Sequence, residues 1–371
     1  MTRPPRNPFR PTFGASPRVW AGREAVLGEF GHALDNGPGD PHRSIIVSGS
    51  RGIGKTVLLT ELEDRARKRG WIVVRASGRE GMADALTASA IPEAIHELRP
   101  APERKLTGFS VAGLGSVRTD LAEPSPAEPR LTSRLRELLG EISTGVLITI
   151  DEVQDADPDD LARIAVAYQD LVRDDADIAL AMAGLTRGVS RLLNLPGATF
   201  LRPARHYELG PLTLDDARRT LAQTAAEAGR PFTPEAADRA ARFTQGYPYL
   251  VQLIGYLAWD ATDGAIGTDA VEAVCGEAVA RLGTQIHQPS LRDVPPRQRE
   301  YLEAMARVGG GAVPSSRLAE ELGRPVTGLS DTRAKLIERD LIIPAGWGEV
   351  AFAQPYLGEY LRDHRGPRRV S

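Results

Sequence analysis

Residues 48–56 read SGSRGIGKT: three glycines ahead of Lys55, one of only four lysines in a chain of 371 residues. An apolar, β-branched run, RSIIVSGS, leads into it. TVLLTELEDRARKRG follows, with helical spacing and a terminating Gly70. The order is strand, loop, helix. Gly49, Gly54, Lys55 and Thr56 satisfy G-x-x-x-x-G-K-[ST] in the context that pattern requires. Glycines let backbone N–H groups curl around an oxyanion, the helix start adds the positive end of a dipole, and Lys55 adds a compact charge. The expected phosphate-binding set is therefore Gly49, Ser50, Arg51, Gly52, Ile53, Gly54, Lys55, Thr56 and Val57, with the Thr56 hydroxyl offered to Mg2+. A dinucleotide-binding turn does not fit. The glycine order is G-x-x-G-x-G, and it would leave Lys55 and Thr56 unexplained.

Such a loop needs a carboxylate from a second strand, and VLITIDE (146–152) supplies one. Asp151, at the strand's carboxyl end, can hold the Mg2+ shell, and Glu152 can activate a water for attack on a terminal phosphate. Glu152 can also be read as a helix-start carboxylate without chemistry. Asp155, Asp157, Asp159 and Asp160 fit a solvated, capped helix start better than a metal cluster.

WIVVRAS (71–77), GVLITIDE (145–152), DIALAMAG (177–184) and RHYELG (205–210) are further strands, and AGREAVLGEFGHALDN (21–36) is an amphipathic helix. Strands alternating with helices predict an α/β, three-layer P-loop NTPase core with a parallel sheet over residues 21–212, after an extended, Pro-rich arm over 1–20. Within the core, residues 104–128 form an insert that reads as a projecting hairpin or a plain surface excursion. Strand signals then stop. Thr213 and Thr233 are expected N-caps, the latter followed by Pro234, and they open an α-helical lid over 213–290. Over 291–371, three short helices and a hairpin turning at Gly346 to Gly348 predict a winged helix-turn-helix, with a helix starting near Thr327 and Trp347 at the tip.

A net charge of −3 excludes a globally basic protein, so any nucleic-acid contact must be local. From Arg292 onward, thirteen basic residues face eleven acidic ones, a small excess for phosphate neutralisation. The single cysteine, Cys275, excludes an intrachain disulfide framework, and no stretch approaches twenty consecutive apolar residues. A cytoplasmic protein with no membrane partner is expected.

GSRGIGKT and LITIDE resemble the Walker A and Walker B motifs of AAA+ ATPases. The likeness is to the origin-recognition and archaeal-initiator type and to the related signal-transduction ATPases with numerous domains. The resemblance spans nearly the whole chain. It implies ATP as the nucleotide, with Lys55 and Glu152 catalytic, Mg2+ on Thr56 and Asp151, and Gly22 and Arg23 of AGRE near the adenine. It further implies a trans-acting arginine finger at Arg202, with Arg205 as the other candidate, and a homo-oligomer to use it. Gly246, Tyr247 and Pro248 resemble the G-x-P motif whose proline packs near the nucleotide; a kinked start to an apolar helix is the other reading. The strand after Walker B is expected to end in a polar sensor, yet ALAMAGLTRG stays apolar until Thr186 and Arg187. The implied function is a nucleotide-controlled switch or remodeller. The alternative is a DNA-binding initiator or transcriptional regulator with a slow or non-hydrolysing site. The winged helix could dock on double-stranded DNA, through Arg324, Arg333 and Lys335, or on a protein.

Overall fold

The computed structural model describes residues 6–12, 14–99, 130–194, 203–309 and 311–364. The 104–128 insert and Arg202 lie outside the described residues.

Five strands, β1 (Ser44–Gly49), β2 (Ile72–Ser77), β3 (Val146–Asp151), β4 (Ile178–Gly184) and β5 (Arg205–Leu209), form one parallel sheet in the order β2-β3-β4-β1-β5. Period-two side-chain alternation splits β4 between two cores. Ala179, Ala181 and Ala183 face one, and Ile178, Leu180 and Met182 face the other. On the first face, Leu27, Phe30, Leu58 and Leu62 of helices Glu24–Asn36 and Lys55–Arg67 pack against Ile45 and Val47. On the second, Leu135, Leu138, Leu161 and Ile164 of helices Leu131–Gly140 and Pro158–Arg173 cover Ile46, Ile148 and Ile150. Burial on both faces explains the unbroken apolar runs of β3 and β4, and the three-layer P-loop core is as expected.

Buried charges lock the helices in register. Glu63, on the helix that follows the phosphate loop, accepts from Thr149 Oγ1 of β3 at 2.8 Å and from Arg75 of β2. Arg43 donates to the carbonyls of Ala33 and Leu34 at the end of the first helix, pairs with Asp177 at 2.8 Å and stacks over Trp71.

After β5 come helices Leu214–Glu227, Pro234–Thr244, Pro248–Asp260 and Thr268–Leu282. Thr213 and Thr233 cap the first two, accepting from the amides of Asp216 and Ala236. The C-terminal region holds helices Pro296–Val308, Ser315–Leu322, Ser330–Glu338 and Leu357–Asp363 and an antiparallel sheet of β6 (Val313–Pro314), β7 (Ile342–Pro344) and β8 (Glu349–Phe352), in the order β6-β8-β7. Its third helix starts at Ser330 rather than near Thr327, because Val326–Leu329, between Pro325 and Ser330, winds as a 3-10 turn.

This region is docked on the rest of the molecule. Tyr356 Oη donates to Phe243 O at 2.7 Å, Arg191 pairs with Glu338 at 2.9 Å, and His287 Nε2 donates to Pro355 O at 3.0 Å. The buried His287 ring packs edge-on against Tyr360, and desolvation drives its pKa down to about 4. Unfolding releases this histidine to its ordinary pKa near 6.5, so the unfolded chain takes up a proton that the native one refuses. Stability from this site is complete above pH 6.5 and falls as pH drops from 6.5 towards 4, by about 3 kcal/mol in all. A His287→Asn variant is expected to show a flatter pH dependence of Tm across that window.

Candidate functional site

Strand β1 ends at Gly49, and the helix begins at Lys55 with Gly54 as its cap in the left-handed region, φ 96°. A side chain there would be strained, which explains the glycine immediately before the lysine. Lys55 is 6% exposed, and its Nζ donates to the carbonyls of Gly49 at 3.0 Å and Ser50 at 2.9 Å. Burial lowers its pKa, opposed by the nearby carboxylates of Glu152, Asp340 and Asp151. The acidic strand end is thus close enough to act on the lysine.

Lys55, Thr56 and Glu152 line one cavity of about 490 Å3, together with Arg51, Gly52, Ile53, Gly54 and Val57. Asp151 is half-buried at the end of β3, and its Oδ1 accepts from the amide of Glu152 at 2.9 Å. Glu152 is exposed and sits in the left-handed region, φ 51°. Asp157 caps the helix Pro158–Arg173, and buried Asp160 accepts from the amide of Met82. Asp157 thus caps the helix as expected, whereas Asp160 is buried rather than solvated, because it satisfies the Met82 amide.

Pro248 and Arg23 line the cavity, whereas Gly22 packs against Asp216 and Leu212. The Arg23 guanidinium turns back to the Gly210 carbonyl. Thr186 and Arg187, in the first turn of helix Thr186–Leu193, line a separate groove with Ser50 and with Asp340 of the C-terminal region. Asp340 is buried, and desolvation raises its pKa to about 6, although Lys55, Arg187 and Arg51 pull the other way.

Further participants come from the N-terminal arm and the helical segment, where the sequence marks none of them as a site residue except Pro248. Arg10, Pro11, Thr12 and Trp20 of the N-terminal arm form a cavity wall. Gln252 accepts from the Arg10 amide, anchoring that arm to helix Pro248–Asp260. Tyr247 is 2% exposed and donates from its hydroxyl to Arg51 O at 2.8 Å, so a residue of the helical segment grips the phosphate loop. Only the short Gly246-Tyr247-Pro248 pattern pointed there, and it drew attention to the proline.

Residues 19–176 match the family model described as AAA ATPase domain. This segment is similar to AAA ATPase domains, and its parallel sheet and glycine-rich loop form a P-loop NTPase core. Residues 284–361 match a second model, Domain of unknown function (DUF8462). No curated protein matches. Among solved structures, a Walker-type ATPase of Pyrococcus abyssi superposes with TM-score 0.65 at 16% identity, covering 98% of this chain and 99% of that one. The ORC2 protein of Aeropyrum pernix, solved as ADPNP–ADP complexes, gives 0.60 at 15% identity, covering 95% and 96%. At these identities the likeness is one of fold. No helix among the described residues is long and apolar enough to cross a membrane.

Proposed function

We propose that this chain binds ATP with Mg2+ between the AAA core and the helical segment bearing Tyr247 and Pro248, and hydrolyses it to ADP and phosphate. The supporting observation is the single cavity shared by Lys55, Thr56 and Glu152. The residues there fit the ligand. An ammonium has three N–H donors, and the loop carbonyls of Gly49 and Ser50 use two, which leaves one for a phosphate oxygen. Thr56 on the cavity wall and Asp151 at the end of β3 would hold Mg2+, with one neutral and one anionic oxygen suited to a hard cation. Bound Mg2+ neutralises charge on the phosphate oxygens.

The chain's own groups do the rest. Lys55 and the loop amides balance charge on the β and γ phosphates. Glu152 takes a proton from a water as the water oxygen bonds to the γ phosphorus. The bond from that phosphorus to the β–γ bridging oxygen breaks, ADP leaves with the electron pair, and the proton passes to solvent. The contact of Tyr247 with Arg51 supports a switch role, because a change at the loop reaches the helical segment directly. Mg2+-dependent phosphate release is the direct test. It should occur in the wild type and fall by roughly 100-fold in Lys55→Ala, which removes the charge-balancing ammonium. Wild-type turnover unaffected by that change rejects the reading.

A second reading, a winged helix docking on DNA, draws on the antiparallel sheet and the fully exposed Trp347 beyond β7. The three basic side chains expected at such an interface, however, have internal partners: Arg324 pairs with Glu300, Lys335 with Asp331, and Arg333 donates to Glu349 O. That favours a protein partner over duplex DNA. Duplex binding across a salt series separates the two.

A further inference from the structure

We propose that Gln154 is a positioning residue that fixes the Glu152 carboxylate against the end of β4; this rests on the hydrolytic reading above. Gln154 lies in the 3-10 turn Val153–Asp155 that follows β3 and lines the same cavity as Glu152. Its carboxamide is used from both ends. Nε2 donates to Glu152 Oε2 at 2.6 Å and to Asp155 Oδ2 at 3.2 Å, while Oε1 accepts from the backbone amide of Leu185 at 2.9 Å. Leu185 is the first residue beyond β4, so one side chain ties the acidic strand end to its neighbour.

The surrounding backbone leaves room for this amide. A Cβ at Gly184 would stand 2.7 Å from Gln154 Oε1, and one at Gly188 would stand 2.1 Å from Gln154 Cβ. Both glycines stand at the junction of β4 and the helix Thr186–Leu193, and larger residues there would expel the glutamine. Glu152 gains from the arrangement. Its side chain is exposed, and a free carboxylate would sample several rotamers, few of which face a water in line with the terminal phosphate. A charge-assisted hydrogen bond from an amide that is itself anchored to the sheet selects one orientation. It also brings a polar group to the end of β4, where Leu185 offers only an apolar side chain.

The test pairs kcat for ATP with the affinity for ADPNP in the full chain. Gln154→Glu keeps an acceptor for the Leu185 amide but sets a carboxylate against Glu152. Gln154→Met keeps approximate size and packing but removes both donor and acceptor. Each is expected to lower kcat at least roughly tenfold, with ADPNP affinity held within about twofold, because the role is exerted on the attacking water and not on nucleotide binding. Should one variant fail to fold, the other still carries the test. Wild-type kcat in the folded variants, alongside a Glu152→Gln variant that has lost turnover, overturns the role of Gln154 alone. A fall in ADPNP affinity matching the fall in kcat also overturns it, as that marks general damage to the site. Absence of turnover in the wild type removes the hydrolytic reading, and this inference with it.

Discussion

Replacing Glu152 by Gln is expected to cut ATP turnover by roughly 100- to 10,000-fold, with nucleotide affinity within about threefold of the wild type. The amide preserves shape and can still accept a hydrogen bond from Gln154 Nε2, but it cannot take a proton from water. The side chain is exposed, and no ion pair with it is present among the described residues, so the fold should be indifferent to the change. Single-turnover phosphate release, measured beside ADPNP binding, separates the two quantities. A variant that turns over at the wild-type rate would mean that Glu152 is only the carboxylate at the start of a turn.

The second large effect is expected at Gly52. Its backbone is left-handed, φ 73°, and a Cβ there would lie 1.8 Å from the Tyr247 hydroxyl and 2.6 Å from Tyr247 Cζ. Gly52→Ala therefore strains the loop and displaces the tyrosine, and it should destabilise the docked state by about 2–4 kcal/mol. Tyr247→Phe cannot rescue it, since the ring carbon remains in the way. The tyrosine cannot simply withdraw either. Gly246 is clamped to Leu212, whose amide donates to the Gly246 carbonyl at 2.8 Å, with no space for a side chain between them. Denaturant unfolding and ADPNP titration should both register the loss, with affinity falling at least about tenfold. Gly28→Ala is the control. It lies in the helix Glu24–Asn36 with open space around it, and alanine there should be neutral or mildly stabilising.

What the sequence disclosed, and what it hid, follows sequence separation. The strand–loop–helix unit around Lys55, the acidic end of β3 and the caps at Thr213 and Thr233 are local, written in adjacent residues, and each stands where expected. β6, with two residues, is too short to leave a periodic signature. Tyr247 meets the loop across 196 residues of chain, and Gln154 reaches Leu185 across 31. Neither partner is marked by spacing, because burial and hydrogen bonding across a fold follow topology and not local propensity. The same holds for the arm residues in the cavity wall and for Asp340. A C-terminal carboxylate beside a phosphate loop has no signal in a sequence read segment by segment.

The strand order has one more consequence. With β4 lying between β1 and β3, the loop that opens after Gly49 and the acid at Asp151 are held two strand spacings apart, about 10 Å. The sheet acts as a ruler. One face of its graduation is cut in alanine, and β4 is wholly buried with helices on both sides. Bulk added at Ala179, Ala181 or Ala183 of this middle strand would misset the gauge, although none of the three lines the cavity.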